Sequence, residues 1–190
     1  YHIALEAGTP VRPLQELLKD HAWDFSLLRC ELQRHTAALL ANLPDTDGLG
    51  TVALIDETSC RKKGDKTPGV QRQYLGCVGK IDHGIVTVHL GVCNGPYKTL
   101  IDAELFLPED WADDRPRCKK AGIPDDMVHR PKWKIALEEI DRNKTNGVTL
   151  DWLTFDEEYG KAPEFVCGLD DRDLVFVGEV PKSLSCLAAN

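Results

Sequence analysis

The stretch Val52-Ala53-Leu54-Ile55-Asp56-Glu57-Thr58 decides the fold, because an apolar run ends there on acidic residues. The near-continuous apolar run over residues 51–56 predicts a strand that is buried on both faces. A basic, glycine-containing segment follows it, Arg61-Lys62-Lys63-Gly64-Asp65-Lys66. In α/β domains, ligand sites commonly lie at the carboxyl ends of such strands. The stretch therefore predicts a metal or phosphate site around Asp56.

The same pattern recurs one hundred positions later, in Leu150-Asp151-Trp152-Leu153-Thr154-Phe155-Asp156. A strand over residues 148–155 would present Asp156 at its end. Two carboxylates at the ends of neighbouring strands repel each other, and a divalent cation such as Mg²⁺ relieves that repulsion. Two such ions could support phosphodiester chemistry. The alternative is that Asp56 and Asp156 cap loops or following helices. An aspartyl-phosphate site is less favoured, since Thr58 stands where its second aspartate would lie.

The remaining patterns predict a mixed sheet with helices packed on it. Residues 84–94 alternate, with four apolar side chains on one face, Val86, Val88, Leu90 and Val92. A helix is expected from Pro131 to the Asn146-Gly147 stop signal. The other predicted elements are strands over 69–80, 99–107 and a buried 173–180, short helical turns within 108–130, and a short helix over 162–169.

Residues 1–48 are predicted to form a small helical segment ahead of the sheet. One helix is expected over residues 9–21, and Asp24 is a plausible N-cap for the next. The second helix carries four apolar side chains at helical spacing, Phe25, Leu28, Leu32 and Leu39. The turn signals in residues 44–48 mark the boundary to a core at 49–190.

Composition narrows the class of function. The chain has 190 residues, a net charge of −8 and a pI of about 5.2, which argues against a strongly basic nucleic-acid binder but not against a nuclease. No apolar run is long enough for a membrane span. The seven cysteines include no C-x-x-C pair, so zinc-site spacing is absent and we expect reduced, mostly buried thiols.

Several ordered motifs add a resemblance. The glycine-rich segment Gly69-Val70-Gln71-Arg72-Gln73-Tyr74-Leu75-Gly76-Cys77-Val78-Gly79-Lys80 is the longest of them. The others are residues 54–58, 63–64, 105–115, 121–124 and 155–160. Together they resemble the DDE-type transposases of bacterial insertion sequences, in the group of DDE superfamily endonucleases. The resemblance covers about residues 50–180.

This resemblance implies an RNase H-like fold, in which Asp56 and Asp156 are the first two members of an acidic triad holding two Mg²⁺ or Mn²⁺ ions. The third acid of related transposases is a glutamate on a helix after the last core strand. Glu179 would lie within the predicted strand 173–180 and is a poor match. We therefore expect the third acid beyond Asn190, in a core that is incomplete at its C-terminal end.

The resemblance also implies a function and its partners. The parent protein would cleave phosphodiester bonds at transposon ends and transfer strands, acting on double-stranded DNA in a synaptic complex that a homodimer could form. A bacterial cytoplasmic, nucleoid-associated location is implied, with no membrane. The alternative is a degenerate or domesticated remnant that binds DNA or protein without catalysis. Five basic residues either contact DNA phosphates or form a solvated loop face: Lys62, Lys63, Lys66, Arg72 and Lys80.

Overall fold

The computed structural model describes residues 2–20 and 23–185, apart from the side chains of residues 2, 3 and 18. Six strands form one mixed sheet. They are β1 (Val52–Arg61), β2 (Gln71–Leu75), β3 (Lys80–Asn94), β4 (Tyr97–Leu105), β5 (Trp152–Phe155) and β6 (Phe176–Gly178). A 3₁₀ turn over Gly76–Val78 joins β2 to β3.

The order of the strands is the RNase H-like arrangement that the resemblance implied. β1 and β4 both pair antiparallel with β3, whereas β5 pairs parallel with β1 and β6 parallel with β5. β2 pairs with the first part of β3, over residues 80–84, so it extends the same edge that β4 occupies further along. The sheet therefore has three antiparallel strands followed by parallel crossovers, with β2 as an added hairpin arm.

Alternation along the strands gives the sheet two different faces. Val86, Val88, Leu90 and Val92 of β3 are fully or almost fully buried, as the sequence predicts, and the same face carries Ala53 and Ile55 of β1. We call this the covered face. The opposite face carries exposed side chains, including Leu54 of β1 and Trp152 of β5. We call it the open face.

Eight helices surround the sheet in the described part of the chain: α1 (His2–Glu6), α2 (Val11–Asp20), α3 (Phe25–Leu40), α4 (Glu109–Asp113), α5 (Arg115–Lys120), α6 (Lys132–Thr145), α7 (Glu157–Gly160) and α8 (Pro163–Asp170). Side chains of α3, α6, α7 and α8 join the main apolar core on the covered face. A smaller cluster around Trp111 and Cys118 ties the segment before β2 to the one after β4.

The signals that predicted α6 operate as expected. Pro131 directly precedes its first residue, and Gly147 follows its C-cap with a φ of +90°. Such a conformation favours glycine, because a side chain there would be strained. Ala136, Leu137 and Ile140 are buried against the sheet. This crossover helix fixes the position of β5 beside β1.

Several strand predictions are corrected by the structure. β1 is buried on one face only and not on both, because Ala53 and Ile55 are buried while Leu54 is exposed. β1 does not end at Asp56 but continues to Arg61, because β3 goes on pairing with it as far as Gly84. The predicted buried strand over 173–180 is only Phe176–Gly178, and it lies at the edge of the sheet. Val177 is 66% exposed there, since its side chain faces outward from the open face.

The apolar face predicted for α3 is also not the buried one. Asp24 caps the helix as expected, accepting a hydrogen bond from the amide of Leu27 at 2.9 Å. The buried residues are Gln33, Thr36 and Leu40, however, and the four apolar residues that suggested the face are exposed, Phe25, Leu28, Leu32 and Leu39. Residues 21 and 22, at the end of the helix predicted over 9–21, lie outside the described residues.

Thiol burial differs from the expectation as well. Six cysteines in the described residues are free thiols, but three of them, Cys60, Cys77 and Cys167, are exposed. Cys186 lies outside the described residues. Within residues 2–20 and 23–185, we find no helix that is both long enough and apolar enough to cross a bilayer.

Candidate metal and nucleic-acid site

Asp56 and Asp156 lie side by side on the open face. The parallel register pairs Ile55 with Phe155, and each aspartate is the next residue on its strand. Ile55 and Phe155 point into the core, so alternation directs both aspartates to the opposite, exposed face. Parallel pairing of β1 with β5 ends at this point, which leaves room for the two carboxylates at the end of the ladder.

Each of these carboxylates has one oxygen held by a backbone amide and one oxygen left free. Asp56 Oδ1 accepts from the amide of Glu57 at 2.7 Å, and Asp156 Oδ1 accepts from the amide of Glu158 at 3.0 Å. The latter contact caps α7, so the capping alternative also applies to Asp156. Within the described residues, neither Oδ2 atom accepts a hydrogen bond and neither aspartate pairs with a cation.

A third carboxylate borders the same cleft. The cleft has a volume of about 450 Å³ and is lined by residues from the ends of β1, β5 and β6, among them Asp56, Asp156 and Glu179. Glu179 follows β6 directly, and its amide donates to the carbonyl of Phe155 at 3.1 Å. The prediction that it lies within a buried strand is therefore wrong. In the described part of the chain, no three acidic, histidine or cysteine side chains converge closely enough to hold a metal ion as they stand.

Two glycines set the spacing of this cleft. A Cβ atom on Gly178, the last residue of β6, would lie 2.1 Å from Cε2 of the Phe155 ring. A Cβ atom on Gly160, at the end of α7, would lie 1.8 Å from the carbonyl oxygen of Glu179. Real Cβ contacts are longer than this, so the absence of side chains allows β6 to approach β5 and α7.

Behind Asp56, on the covered face, an ion pair ties β1 to the start of α6. Lys132 Nζ lies 2.6 Å from Glu57 Oε2. The buried Tyr159 hydroxyl is close to this pair and has no hydrogen-bond partner among the described residues. Burial is the largest cause that raises the pKa of Tyr159, and the carboxylate of Glu57 acts in the same direction. These residues fix the backbone that carries Asp56 and Asp156.

His89 is the cross-strand neighbour of Asp56 on β3. Its Nε2 lies 2.7 Å from Thr87 Oγ1, and its Nδ1 is buried without a partner among the described residues. Partial burial lowers the pKa of His89, while the nearby Asp56 carboxylate acts in the opposite direction. A neutral imidazole is the state favoured by these surroundings.

The five basic residues predicted to contact DNA lie in one region beyond the end of β1. Lys62, Lys63 and Lys66 occupy the loop between β1 and β2, Arg72 is on β2, and Lys80 is the first residue of β3. None of the five pairs with a carboxylate in the described part of the chain, and all except the half-buried Lys62 are exposed. Their charges are therefore available to an anionic ligand.

A second basic element, which was not among the predicted site residues, lies beside this loop. The guanidinium of Arg117 on α5 stacks on the buried Trp111 ring, 3.6 Å from its centroid, and donates to the carbonyl of Asp65 at 3.0 Å. A cleft of about 490 Å³ next to it is bordered by Lys66, Arg117 and Lys120. The run Arg115-Pro116-Arg117-Cys118-Lys119-Lys120 was the signal that could have identified it.

The covered face holds a different set of charged groups, centred on Asp102 of β4. Its Oδ2 accepts from Gln33 Nε2 at 2.8 Å, Arg142 Nε at 2.8 Å and Asn143 Nδ2 at 3.1 Å. Its Oδ1 accepts from the amide of Ala103 at 2.9 Å. This network explains why α3 buries Gln33 instead of Leu28 and Leu32, because Asp102 needs donors from the helix that covers it.

Glu139 of α6 lies fully buried next to this network. Neither of its carboxylate oxygens has a hydrogen-bond partner among the described residues. Burial, assisted by the negative charge of Asp102, raises the pKa of Glu139 to about 9. It is therefore protonated at neutral pH, which limits the charge carried by the core.

Comparisons with known proteins identify the family of this chain. The sequence model for the family described as DDE superfamily endonuclease matches residues 2–189. Among curated proteins, a probable transposase for insertion sequence element IS701 from Microchaete diplosiphon is 30% identical over 169 residues. That alignment covers 86% of this chain and 39% of the relative, so the chain spans about two fifths of the relative's length.

Solved structures give a weaker likeness. A Mos1 transposase paired-end complex with the left transposon end aligns over 92% of this chain and 52% of its own, at 14% identity and a TM-score of 0.32. A Mos1 mariner paired-end complex with Mn aligns over the same shares at 13% identity and a TM-score of 0.30. Both scores are below 0.5, so the RNase H-like assignment depends on the strand order alone.

Proposed function

Because the chain belongs to the DDE superfamily endonucleases, we propose that it is part of the catalytic core of an insertion-sequence transposase. In this proposal Asp56 and Asp156 hold Mg²⁺ or Mn²⁺, in a two-ion site, and act on phosphodiester bonds of double-stranded DNA at transposon ends. The activity, the metal and the DNA substrate are all parts of the proposal.

The pair of free carboxylate oxygens facing one cleft carries this proposal. Asp56 and Asp156 each keep one oxygen on a backbone amide and leave the other without a partner in the described residues. Hard divalent cations prefer such oxygens together with water and substrate phosphate. The held oxygen also orients each carboxylate, as hydrogen bonds to metal ligands commonly do. Glu179 lines the same cleft and could supply a further carboxylate oxygen if its backbone shifted toward the two aspartates.

The residues of this chain have separable roles in the proposed reaction. Asp56 and Asp156 would hold the divalent cations where pairing of β1 with β5 stops. Such cations would supply charge neutralisation and activation of the attacking oxygen. The Glu57–Lys132 ion pair fixes β1 to α6 directly behind Asp56 and keeps Glu57 away from the cleft. The exposed position of the cleft on the open face lets a bulky polymer reach it.

The basic loop supplies the electrostatic part of DNA binding in this proposal. These unpaired cations lie past the end of the β1–β5 ladder, in the direction in which β1 continues beyond Asp56. They are Lys62, Lys63, Lys66, Arg72 and Lys80. Phosphate contacts of this kind position a duplex without reading its sequence. They also compensate for the net charge of −8, which by itself would repel DNA.

Metal binding is the direct test. Calorimetric titration of the chain with Mn²⁺ should show binding that is lost in Asp56→Asn and in Asp156→Asn. Glu158→Gln is the matched control, because this carboxylate lies two residues after Asp156 in sequence but pairs with Lys161. Unchanged affinity and stoichiometry in both aspartate variants would exclude the proposed metal site.

The reaction needs a separate assay. In a polypeptide of the relative's full length, the same two aspartate variants should lose metal-dependent cleavage of DNA that carries the transposon ends, while the Glu158→Gln variant keeps it. Cleavage at the wild-type rate by both aspartate variants would contradict the assignment.

A further inference from the structure

The hairpin formed by β2, the 3₁₀ turn and the start of β3 carries an exposed apolar tip. Tyr74 and Ile81 pair directly across the two strands, and they are 59% and 58% exposed. Val78, in the turn that joins the strands, is exposed as well. Cross-strand aromatic and aliphatic pairs normally stabilise a sheet by covering each other and the core below. Here the pair faces solvent, which is typical of a surface that binds a partner.

The tip is held rigidly by contacts on its inner side. Leu75 is fully buried against Gly84, where any Cβ atom would lie 2.6 Å from a Leu75 methyl carbon. Gln73 Nε2 donates to the carbonyl of Gly84 at 2.9 Å, and the amide of Cys77 donates to Ser59 Oγ at 3.1 Å. A preformed tip loses little conformational entropy when it binds a ligand.

The outer side of the hairpin continues the open face beyond the end of β1. Pairing of β1 with β3 runs without a register shift over Gly84–Cys93, and Asp56 pairs with His89. Alternation along β3 places Ile81 and its partner Tyr74 on this outer side. Ile81 is eight residues before His89, about 26 Å along a strand, and the turn contacts Ser59 from the covered side. The tip therefore lies beyond the aspartate cleft and not beside it.

Cations surround this apolar tip. Arg72 shares the strand face of Tyr74, and Lys80 begins β3 beside the turn. The basic loop is fixed alongside, since the amide of Lys62 donates to the carbonyl of His83 at 3.0 Å and the His83 ring lies 2.7 Å from the carbonyl of Gly64. An aromatic ring among unpaired cations matches single-stranded or distorted nucleic acid, in which bases stack on rings and phosphates meet cations.

We propose that the hairpin tip packs Tyr74, with Ile81 and Val78 beside it, against an unpaired base of DNA that extends past the aspartate cleft. This inference is based on the proposed function and adds a base-contacting element to it. Arg72, on the same strand face as Tyr74, binds a phosphate beside that base. The feature recognised is the π-face of a base next to a phosphate, which every nucleotide has. Recognition therefore does not depend on which base is unpaired.

Binding measured without divalent metal tests this inference separately from catalysis. The chain is titrated, in EDTA, with two fluorescent duplexes that differ only by one unpaired adenine, and anisotropy gives both dissociation constants. We expect tighter binding to the duplex with the unpaired base. Tyr74→Ala should weaken that complex by about tenfold, within the range for base–aromatic stacking, and change the affinity for the perfect duplex by less than about twofold. Tyr74→Phe should retain the preference.

Two further variants separate the contributions. Phe25→Ala is the matched control, because Phe25 is an equally exposed aromatic residue on α3, and it should leave both affinities unchanged. Arg72→Gln should weaken both complexes equally and reduce the slope of log affinity against log salt by about one. Ile81→Ala should reproduce part of the Tyr74→Ala effect.

Equal affinities of Tyr74→Ala and the wild type for the unpaired-base duplex would overturn the inference. It would also be overturned if Tyr74→Ala and Ile81→Ala instead dissociate a complex between copies of the chain in sedimentation, since the tip would then be a protein interface. Both results leave Mn²⁺ binding by Asp56 and Asp156 intact, so they do not affect the proposed function. Failure of the chain to bind either duplex would overturn both.

Discussion

Asp56 and Asp102 occupy opposite faces of one sheet, and the difference between them lies in a single oxygen atom. Each accepts a hydrogen bond on Oδ1 from the amide of the next residue, at 2.7 Å in Asp56 and 2.9 Å in Asp102. Oδ2 of Asp102 receives three side-chain donors, whereas Oδ2 of Asp56 receives none from the described residues. The hydrogen bonds of the fold fully satisfy the carboxylate of Asp102, whereas the carboxylate of Asp56 is available to a ligand.

This contrast teaches how to separate structural from functional charges in the same domain. A buried carboxylate is tolerated only when its lone pairs are satisfied, so Asp102 requires Gln33, Arg142 and Asn143. An exposed carboxylate without a partner contributes little to folding, because water solvates it in both states. Substitutions on the two faces should therefore affect different measurements, stability on the covered face and ligand binding on the open face.

The largest effect should come from breaking the buried network. Asp102→Ala removes the charged acceptor that Arg142, Gln33 and Asn143 share, and their remaining contacts do not replace it. The free energy of unfolding should therefore fall by about 3–5 kcal/mol. Urea denaturation followed by circular dichroism measures this change. A loss below about 1 kcal/mol would mean that Asp102 is not needed to compensate these groups.

The second largest effect should come from metal on the open face. At a free Mn²⁺ concentration one hundred times the dissociation constant, binding to the folded state alone should raise the free energy of unfolding by about 2.7 kcal/mol. Thermal denaturation with and without Mn²⁺ measures the increase. A covered-face variant such as Glu139→Gln should keep this stabilisation by Mn²⁺, whereas Asp56→Asn should abolish it. A stabilisation that persists in Asp56→Asn would place the bound metal elsewhere.

Glu139 gives a pH-dependent test of the covered face. Its raised pKa of about 9 means that the folded protein keeps a proton that the unfolded chain releases above its ordinary value of 4.5. The stability contributed by this proton is complete below pH 4.5 and is lost as the pH rises toward 9. Glu139→Gln keeps the neutral form, so it should stabilise the protein at pH 6 by about 2 kcal/mol and have little effect at pH 4.

Denaturant titrations of Glu139→Gln at several pH values give this difference directly. The groups facing Glu139 are Asp102 and Glu104 on β4, Arg142 on α6 and Arg29 on α3. Since the substitution leaves these groups unchanged, the wild-type and variant curves should converge at acid pH. Parallel curves over the whole range would show that Glu139 is ionised in the folded protein.

The smallest effect on stability should come from Asp56 itself. Without metal, Asp56→Asn should change the free energy of unfolding by less than about 0.5 kcal/mol, because its charged oxygen has no partner to lose. The same denaturation assay in EDTA measures it. A large destabilisation would show that Asp56 belongs to the fold in the way that Asp102 does.

Periodicity predicted the parts of this fold in which apolar and polar residues divide cleanly between two faces. The alternation of Val86, Val88, Leu90 and Val92 identified the covered face of β3, and the proline and glycine signals identified α6. The meeting of Asp56 and Asp156 in one cleft also followed from sequence, because each follows an apolar run and these two runs are parallel neighbours in the sheet.

The errors occurred where position in the sheet, and not local pattern, decides burial. β6 has the composition of a buried strand, yet it lies at an edge and exposes Val177. α3 has an apolar face, yet the sheet beneath it presents Asp102, so the helix buries Gln33. The apolar run over residues 173–180 predicts a strand that includes Glu179. The strand ends at Gly178 instead, because pairing with β5 stops at Phe155. Each outcome depends on a partner distant in sequence.

Gly160 and Gly178 have a consequence for how this protein can diversify. The gap between β5, α7 and β6 is closed by direct contact with main chain and ring atoms, so no side chain at either position can be accommodated by repacking. In a library randomised at every codon and selected for activity, positions 160 and 178 should return only glycine. New spacings of the cleft are then reachable by insertions or deletions in the loops around β6, and not by single substitutions.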